Sequence, residues 1–199
     1  MSAELLVLVV VVLVAVIAAL LTAYLTAHRL DRLHIRTDLA RAALAGALER
    51  RHTVAAAVVR DLAQRDPAGA DHLARALAHA RAHPPGAITG SDPAAHPEPR
   101  HHRHPDGPPE DSTGSDAEIA ENSLGVALSG VDADALPDDL AAELDDATDR
   151  VSMARRFYND AVRDTRTLRE QAPVRVLRLA GRAPMPGYVE LVDAPPPQA

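Results

Sequence analysis

Asp138 to Leu168 reads DDLAAELDDATDRVSMARRFYNDAVRDTRTL, and the spacing of its apolar residues decides the fold class. Leu140, Leu144, Ala147, Val151, Ala154, Tyr158, Ala161, Thr165 and Leu168 recur at alternating intervals of three and four, the period of one face of an α-helix. The spacing predicts a long helix over about 137–171, with Pro137 at its start and Asp138 and Asp139 set against the positive end of the helix dipole. Pro173 closes it. Tyr158 falls in the seam, where its ring supplies bulk that alanine cannot, so its hydroxyl needs a partner. Phe157, one position earlier, sits at the edge of the seam and is expected to cover a neighbouring helix. Arg155 and Asn159 lie one turn apart and are expected to share a polar patch.

A second seam lies upstream. From His28 to Gln64 the chain has no proline, and Leu30, Leu33, Thr37, Ala40, Leu44, Ala47, Arg51, Val54 and Val58 repeat the same alternation, with Arg51 as its one interruption. This helix is expected to continue without a break from the segment before it, LLVLVVVVLVAVIAALLTAYLTA, which spans Leu5 to Ala27 without a charge. As a helix those residues extend about 35 Å, enough to cross a hydrocarbon core of about 30 Å. A cleaved signal peptide competes with this reading. However, Glu4 precedes the run with no Arg or Lys, the run is longer than a signal core, and its exit lacks a clean Ala-x-Ala site. The expectation is therefore an uncleaved single-pass anchor in the cell membrane. Arg29, Arg32 and Arg36 follow it, so the positive-inside rule puts the N-terminus outside and residues 28–199 in the cytoplasm.

The remaining elements are shorter. Asp66-Pro67 has the chemistry of a cap followed by a first helical turn, and it opens a helix over about 68–82 that Pro84-Pro85-Gly86 stops. Residues 83–115, rich in Pro, His, Gly and acids, read as a disordered loop, because such a composition buries too little apolar surface to offset its ordering entropy. Ser115 and Glu118 form a capping box for a third helix over about 116–129, through Ile119, Leu124 and Leu128. The predicted fold is all-α: an N-terminal transmembrane helix (1–27), then an antiparallel bundle of about four helices, two long and two short. Bundle helices occupy 28–82 and 116–172, and a basic then Pro-rich segment occupies 173–199.

Composition narrows the chemistry. Aromatic residues make up 2% of the chain, so the core must be built from Leu, Val and Ala. No cysteine is present, which removes disulfides, thiolate zinc sites and cysteine nucleophiles. The net charge of −7 divides into +4 over 28–104, −14 over 105–149 and +4 over 150–199, with Glu4 completing it. Basic segments that flank an acidic block argue against nucleic acid as a partner. No Gly-rich phosphate loop, nucleophile elbow or zinc-protease helix occurs, so neither an enzyme nor a cofactor is expected. His101, His102 and His104 in HPEPRHHRHP are the one plausible metal constellation, but they lie in the segment read as disordered, and no metal ligand is assigned. Asp145, Asp146 and Asp149 read as surface charge.

SMARRFYNDAVRDTRTL resembles the signature helix of the bacterial LemA family, with Arg155, Tyr158, Asn159 and Val162 on its Arg-x-x-Tyr-Asn pattern. ALERRHTVAAAVV is similar to the family's paired basic residues before an apolar run, with Arg50, Arg51 and His52 at those positions. The N-terminal anchor and the closing RLAGRAPMPGYVEL, with Tyr188 and Glu190, match the family's layout. The chain departs from it at Thr53, Val54 and the following alanines, and in the His/Pro-rich insert.

The resemblance implies a membrane-anchored helical bundle without established chemistry, often encoded beside a membrane metalloprotease. The implied function is a scaffold or interaction protein, with the lipid bilayer and a protein partner at the membrane. Its candidate interaction surface is Arg155, Arg156, Tyr158, Asn159, Arg50 and Arg51. An up-down bundle also returns the last helix toward the membrane, bringing Arg163, Arg166, Arg169, Arg175, Arg178 and Arg182 to the face of Arg29, Arg32 and Arg36. Of these, Arg29, Arg32, Arg36, Arg175, Arg178 and Arg182 are the candidate contacts with an anionic leaflet. Two other readings use the same residues: a metal- or pH-responsive membrane sensor working through the His-rich loop, and an extracytoplasmic envelope protein.

Overall fold

A single helix, α1 (Ala3–Leu62), runs through both the apolar segment and the first bundle seam. Its 60 residues extend about 90 Å. The computed structural model describes residues 3–84, 110–176 and 185–191. After α1 come α2 (Pro67–Ala82), α3 (Glu110–Ser129), a 3₁₀ turn (Ala133–Ala135), α4 (Asp138–Glu170) and the short α5 (Ala172–Val176). Among the described residues the architecture is all-helical, as the periodicity requires. The two long helices, α1 and α4, pack along each other, and α2 lies against both α1 and α3.

Character changes sharply along α1. The large apolar residues from Leu5 to Leu25 are exposed, and the segment is long and apolar enough to cross a membrane. From Leu30 onward burial follows one stripe: Leu30, Thr37, Leu44, Leu48, Arg51, Val54 and Val58 are buried, joined near the end of the helix by His52 and Ala55, while Leu33, Ala40 and Ala47 are half-buried. On α4, Ala147, Val151, Ala154, Tyr158, Ala161, Thr165 and Leu168 form the facing stripe, with Leu140 and Leu144 half-buried at its start. Small residues at many of these positions let the helices approach closely and leave only modest apolar area for each to bury.

Local chemistry sets the helix ends. The Asp66 carboxylate accepts from the Gly69 backbone N–H at 3.0 Å and caps α2, with Pro67 as its first residue. A Cβ at Gly69 would meet the Asp66 carboxylate, so a larger residue there would make the capping side chain shift. Pro137 precedes α4, and Asp138 and Asp139 occupy its first turn. Inside the bundle, Thr37 and Thr165 meet across α1 and α4, their hydroxyl oxygens 3.1 Å apart. Thr37 donates to the Leu33 carbonyl at 2.9 Å, so Thr165 is the donor between the two.

Several expectations need correction. The third helix begins at Glu110, so Ser115 lies inside it and not at its start. Residues 110–115 are therefore helix, and the rest of the His/Pro-rich segment from 85 to 109, including His101, His102 and His104, lies outside the described residues. Ile119 is 56% exposed, because the buried stripe of α3 runs instead through Ala117, Ala120, Glu121, Leu124, Ala127 and Leu128. Phe157 is 60% exposed, at the border between α4 and α1.

α4 returns to the start of the bundle, where Leu168 and Val174 pack on Leu30 and Arg36 pairs with Asp164 at 2.9 Å. Arg29, Arg32, Arg36 and Arg175 are exposed at this end. Arg166 turns away from it, donating to the Pro186 carbonyl at 3.2 Å. Arg178 and Arg182 lie outside the described residues.

Candidate functional site

The seam's interruption at Arg51 marks a buried charged cluster. Arg51 and His52 on α1 are 5% and 6% exposed, and Glu121 on α3 is fully buried against them. Arg51 Nη2 donates to Glu121 Oε2 at 2.6 Å and to the Glu121 backbone carbonyl at 3.2 Å. His52 Nε2 lies 2.7 Å from Glu121 Oε1. Both carboxylate oxygens are thus engaged, one by each α1 residue, as a buried charge demands. Arg81 of α2 donates to the His52 carbonyl at 3.3 Å, tying a third helix to the same point. Arg51 is therefore a core residue rather than part of an interaction surface: an arginine with its charge paired is tolerated where an unpaired one is not.

The Arg-Phe-Tyr-Asn stretch builds the second feature. Residues 185–191 form a non-helical strap in which Gly187, Val189 and Leu191 are buried, Tyr188 is half-buried and Glu190 is exposed. Val189 and Leu191 enter one core with Leu44 and Leu48 of α1, Ala117 of α3, and Val151, Ala154, Tyr158 and Val162 of α4. Tyr158, fully buried, donates its hydroxyl to the Gly187 carbonyl at 3.2 Å. The Asn159 carboxamide pairs with Val189 in both directions: Oδ1 accepts from the Val189 N–H at 2.9 Å, and Nδ2 donates to the Val189 carbonyl at 3.0 Å. From α3, Asn122 Nδ2 donates to the Glu190 carbonyl at 3.0 Å. The Arg166 guanidinium sits 5.5 Å from the centre of the Tyr188 ring.

Tyr158 and Asn159 thus hold the strap, Tyr158 fully buried and Asn159 half-buried. Arg155 is half-buried, Arg156 is exposed, and Arg50 is exposed in a 3.6 Å pair with Glu143. A shallow apolar depression opens beside Arg50, formed by Ala43, Gly46 and Ala47 of α1 with Met153 and Phe157 of α4. At its rim Asp146 accepts from Arg150 at 2.7 Å, and that hydrogen bond holds the Asp146 carboxyl below its usual range.

Glu118 adjoins the strap on α3. It is 9% exposed, and its Oε1 is buried with no hydrogen-bond partner. Burial pushes its carboxyl above the ordinary carboxylate value; a hydrogen bond from the Glu190 backbone opposes this rise, and the Glu190 charge adds to it. Among the described residues no group of three or more His, Asp or Glu side chains is placed to hold a metal ion. Neither Glu121 nor the strap is anticipated by the spacing rules applied to the sequence. The signals were present in Arg51, whose place in a seam demands an acid, and in GYVEL, whose alternate residues are small or apolar.

Comparison with protein-family models, with curated proteins and with solved structures returned no match.

Proposed function

We propose that this chain is a membrane-anchored scaffold or interaction protein of LemA type, its bundle held at the cytoplasmic surface by the first part of α1. The carrying observation is the change of character along that helix, exposed and apolar up to Leu25 and then striped by burial from Leu30. An exposed apolar helix of this length is stable in hydrocarbon and a poor fit to water. Arg29, Arg32 and Arg36 on the bundle side favour a cytoplasmic bundle, and with Arg175 they form a basic end suited to an anionic leaflet. Tethering raises the effective concentration of the bundle toward any partner in the same membrane. The family resemblance points to a membrane metalloprotease as one such partner. Arg50, Arg156 and the depression beside Met153 and Phe157 supply exposed surface for it.

The test is membrane extraction combined with topology. The full chain is expected to resist alkaline carbonate and to keep its first 27 residues by mass. Reporters placed after Ala27 and at Ala199 are expected to read as cytoplasmic. Release by carbonate, or an N-terminus trimmed near Ala27, would contradict the anchor. An external reporter at Ala199 would contradict the orientation.

A further inference from the structure

The strap occupies a cleft in the manner of a bound peptide. Asn159 pairs with the N–H and carbonyl of one residue, a contact with the backbone alone that is indifferent to side-chain identity. Tyr158 and Asn122 add two more contacts to backbone carbonyls on either side. Selectivity is left to the alternate positions: a small residue at Gly187, an aliphatic one at Val189 and another at Leu191, all buried. Backbone pairing for affinity with pockets for alternate side chains is how proteins commonly read extended peptides.

One position fits badly. Glu118 brings a buried carboxyl oxygen without a partner up to the strap, where its carboxylate accepts from the Glu190 backbone and feels the repulsion of the exposed Glu190 charge. Two acids placed together repel, and a cation in place of one of them would reverse the sign of the interaction. We propose that the cleft between α3 and α4 is a peptide-recognition site, filled in cis by Gly187–Leu191, whose partner is an extended segment of another protein with the same small-x-aliphatic-x-aliphatic spacing and a basic residue in place of Glu190. The strap is then an internal competitor that the partner displaces. This rests on reading the chain as an interaction protein and names the chemistry of what it binds.

The experiment uses the full chain in detergent, with its own strap weakened by Val189→Ala and Leu191→Ala, and fluorescein-labelled peptides PGYVELV and PGYVKLV read by anisotropy. The lysine peptide is expected to bind about tenfold more tightly than the glutamate peptide, the scale of one favourable charge contact. Glu118→Gln is expected to abolish that preference, and Asn159→Ala to weaken both peptides about tenfold or more. The unaltered chain is expected to bind both peptides less tightly than the strap-weakened one.

Absence of peptide binding by a strap-weakened chain that keeps its helical circular dichroism would overturn the proposal. So would binding indifferent to Asn159, equal affinity for the two peptides, or strap transfer between two copies without capture of free peptide. Loss of helicity on weakening the strap would also overturn it, since a segment the bundle cannot release is no competitor. Carbonate extraction of the same strap-weakened chain reports on the anchor separately, so failure of the peptide site leaves that result standing or falling by itself.

Discussion

Two buried polar contacts engage α3, and they differ in kind. At Glu121 the contact is charged, runs helix to helix, and leaves both carboxylate oxygens engaged by Arg51 and His52. Beside it on α3, Glu118 and Asn122 face the strap, whose direct hydrogen bonds come mainly from neutral amide and hydroxyl groups on α3 and α4. A buried charge whose partner is removed stays buried and uncompensated, whereas a displaced strap returns its backbone groups, and the amides that held them, to water. The charged contact is therefore expected to behave as a fixed part of the core, and the neutral one to be the first to open. One sets which helices pack together; the other covers a cleft.

The largest effect is expected where that contrast is sharpest. Glu121→Ala leaves Arg51 without its carboxylate in the core and is expected to lower stability by about 3–5 kcal/mol, read from urea unfolding of the detergent-solubilised chain. Joint replacement of Arg51, His52 and Glu121 by apolar residues of similar volume is expected to recover most of that loss. A triple variant as unstable as the single one would mean that the cluster contributes more than paired charge. Next in size is Asn159→Ala, which leaves the Val189 N–H and carbonyl without their partner and is expected to lower stability by about 1–3 kcal/mol in the same measurement. If it matched Glu121→Ala, the two contacts would not differ in kind.

Tyr158→Phe removes one hydroxyl donor and keeps the buried ring. A loss of about 0.5–1.5 kcal/mol is expected, with helical content unchanged by circular dichroism. The smallest effect is expected at Glu118, and it depends on pH. Its carboxyl is raised in the folded chain, so the neutral form is the favoured one there. Its contribution to stability is fully present below the ordinary carboxylate value of 4.5 and is lost as pH rises through the raised folded value. Glu118→Gln is therefore expected to gain stability over the native chain as pH rises through that window and to match it in acid. A constant difference between the two chains across pH would remove the burial argument.

Legibility followed periodicity. Both long helices were readable because a seam at intervals of three and four, sustained from Leu30 to Val58 and from Leu140 to Leu168, fits only a buried helical stripe. The apolar start of α1 was readable as a helix able to cross a membrane because its hydrophobicity has no stripe at all. α3 was misread in part: alanines at Ala117, Ala120 and Ala127 carry its buried face, and Ala is too small and too common to outweigh Ile119 in a pattern. Tyr158 could be placed in the seam from spacing alone, but the partner of its hydroxyl could not, since Gly187 lies 29 residues away along the chain. Asn159 was assigned to a patch with Arg155, one turn back, because helical spacing reports only neighbours on the same helix. Glu121 lies 70 residues from Arg51, and such pairings follow from packing that local patterns do not encode.

The most direct test of the contrast is hydrogen exchange, resolved by residue, on the full chain in detergent. The Val189 amide, held by Asn159, is expected to exchange through a local opening, much faster than the amides of Val54 and Val151 in the α1 and α4 core, which exchange only on global unfolding. Asn159→Ala should speed Val189 further and leave Val54 and Val151 unchanged once global stability is allowed for. A Val189 amide as slow as those of Val54 and Val151 would contradict the account, because the strap would then be as fixed as the helices it covers.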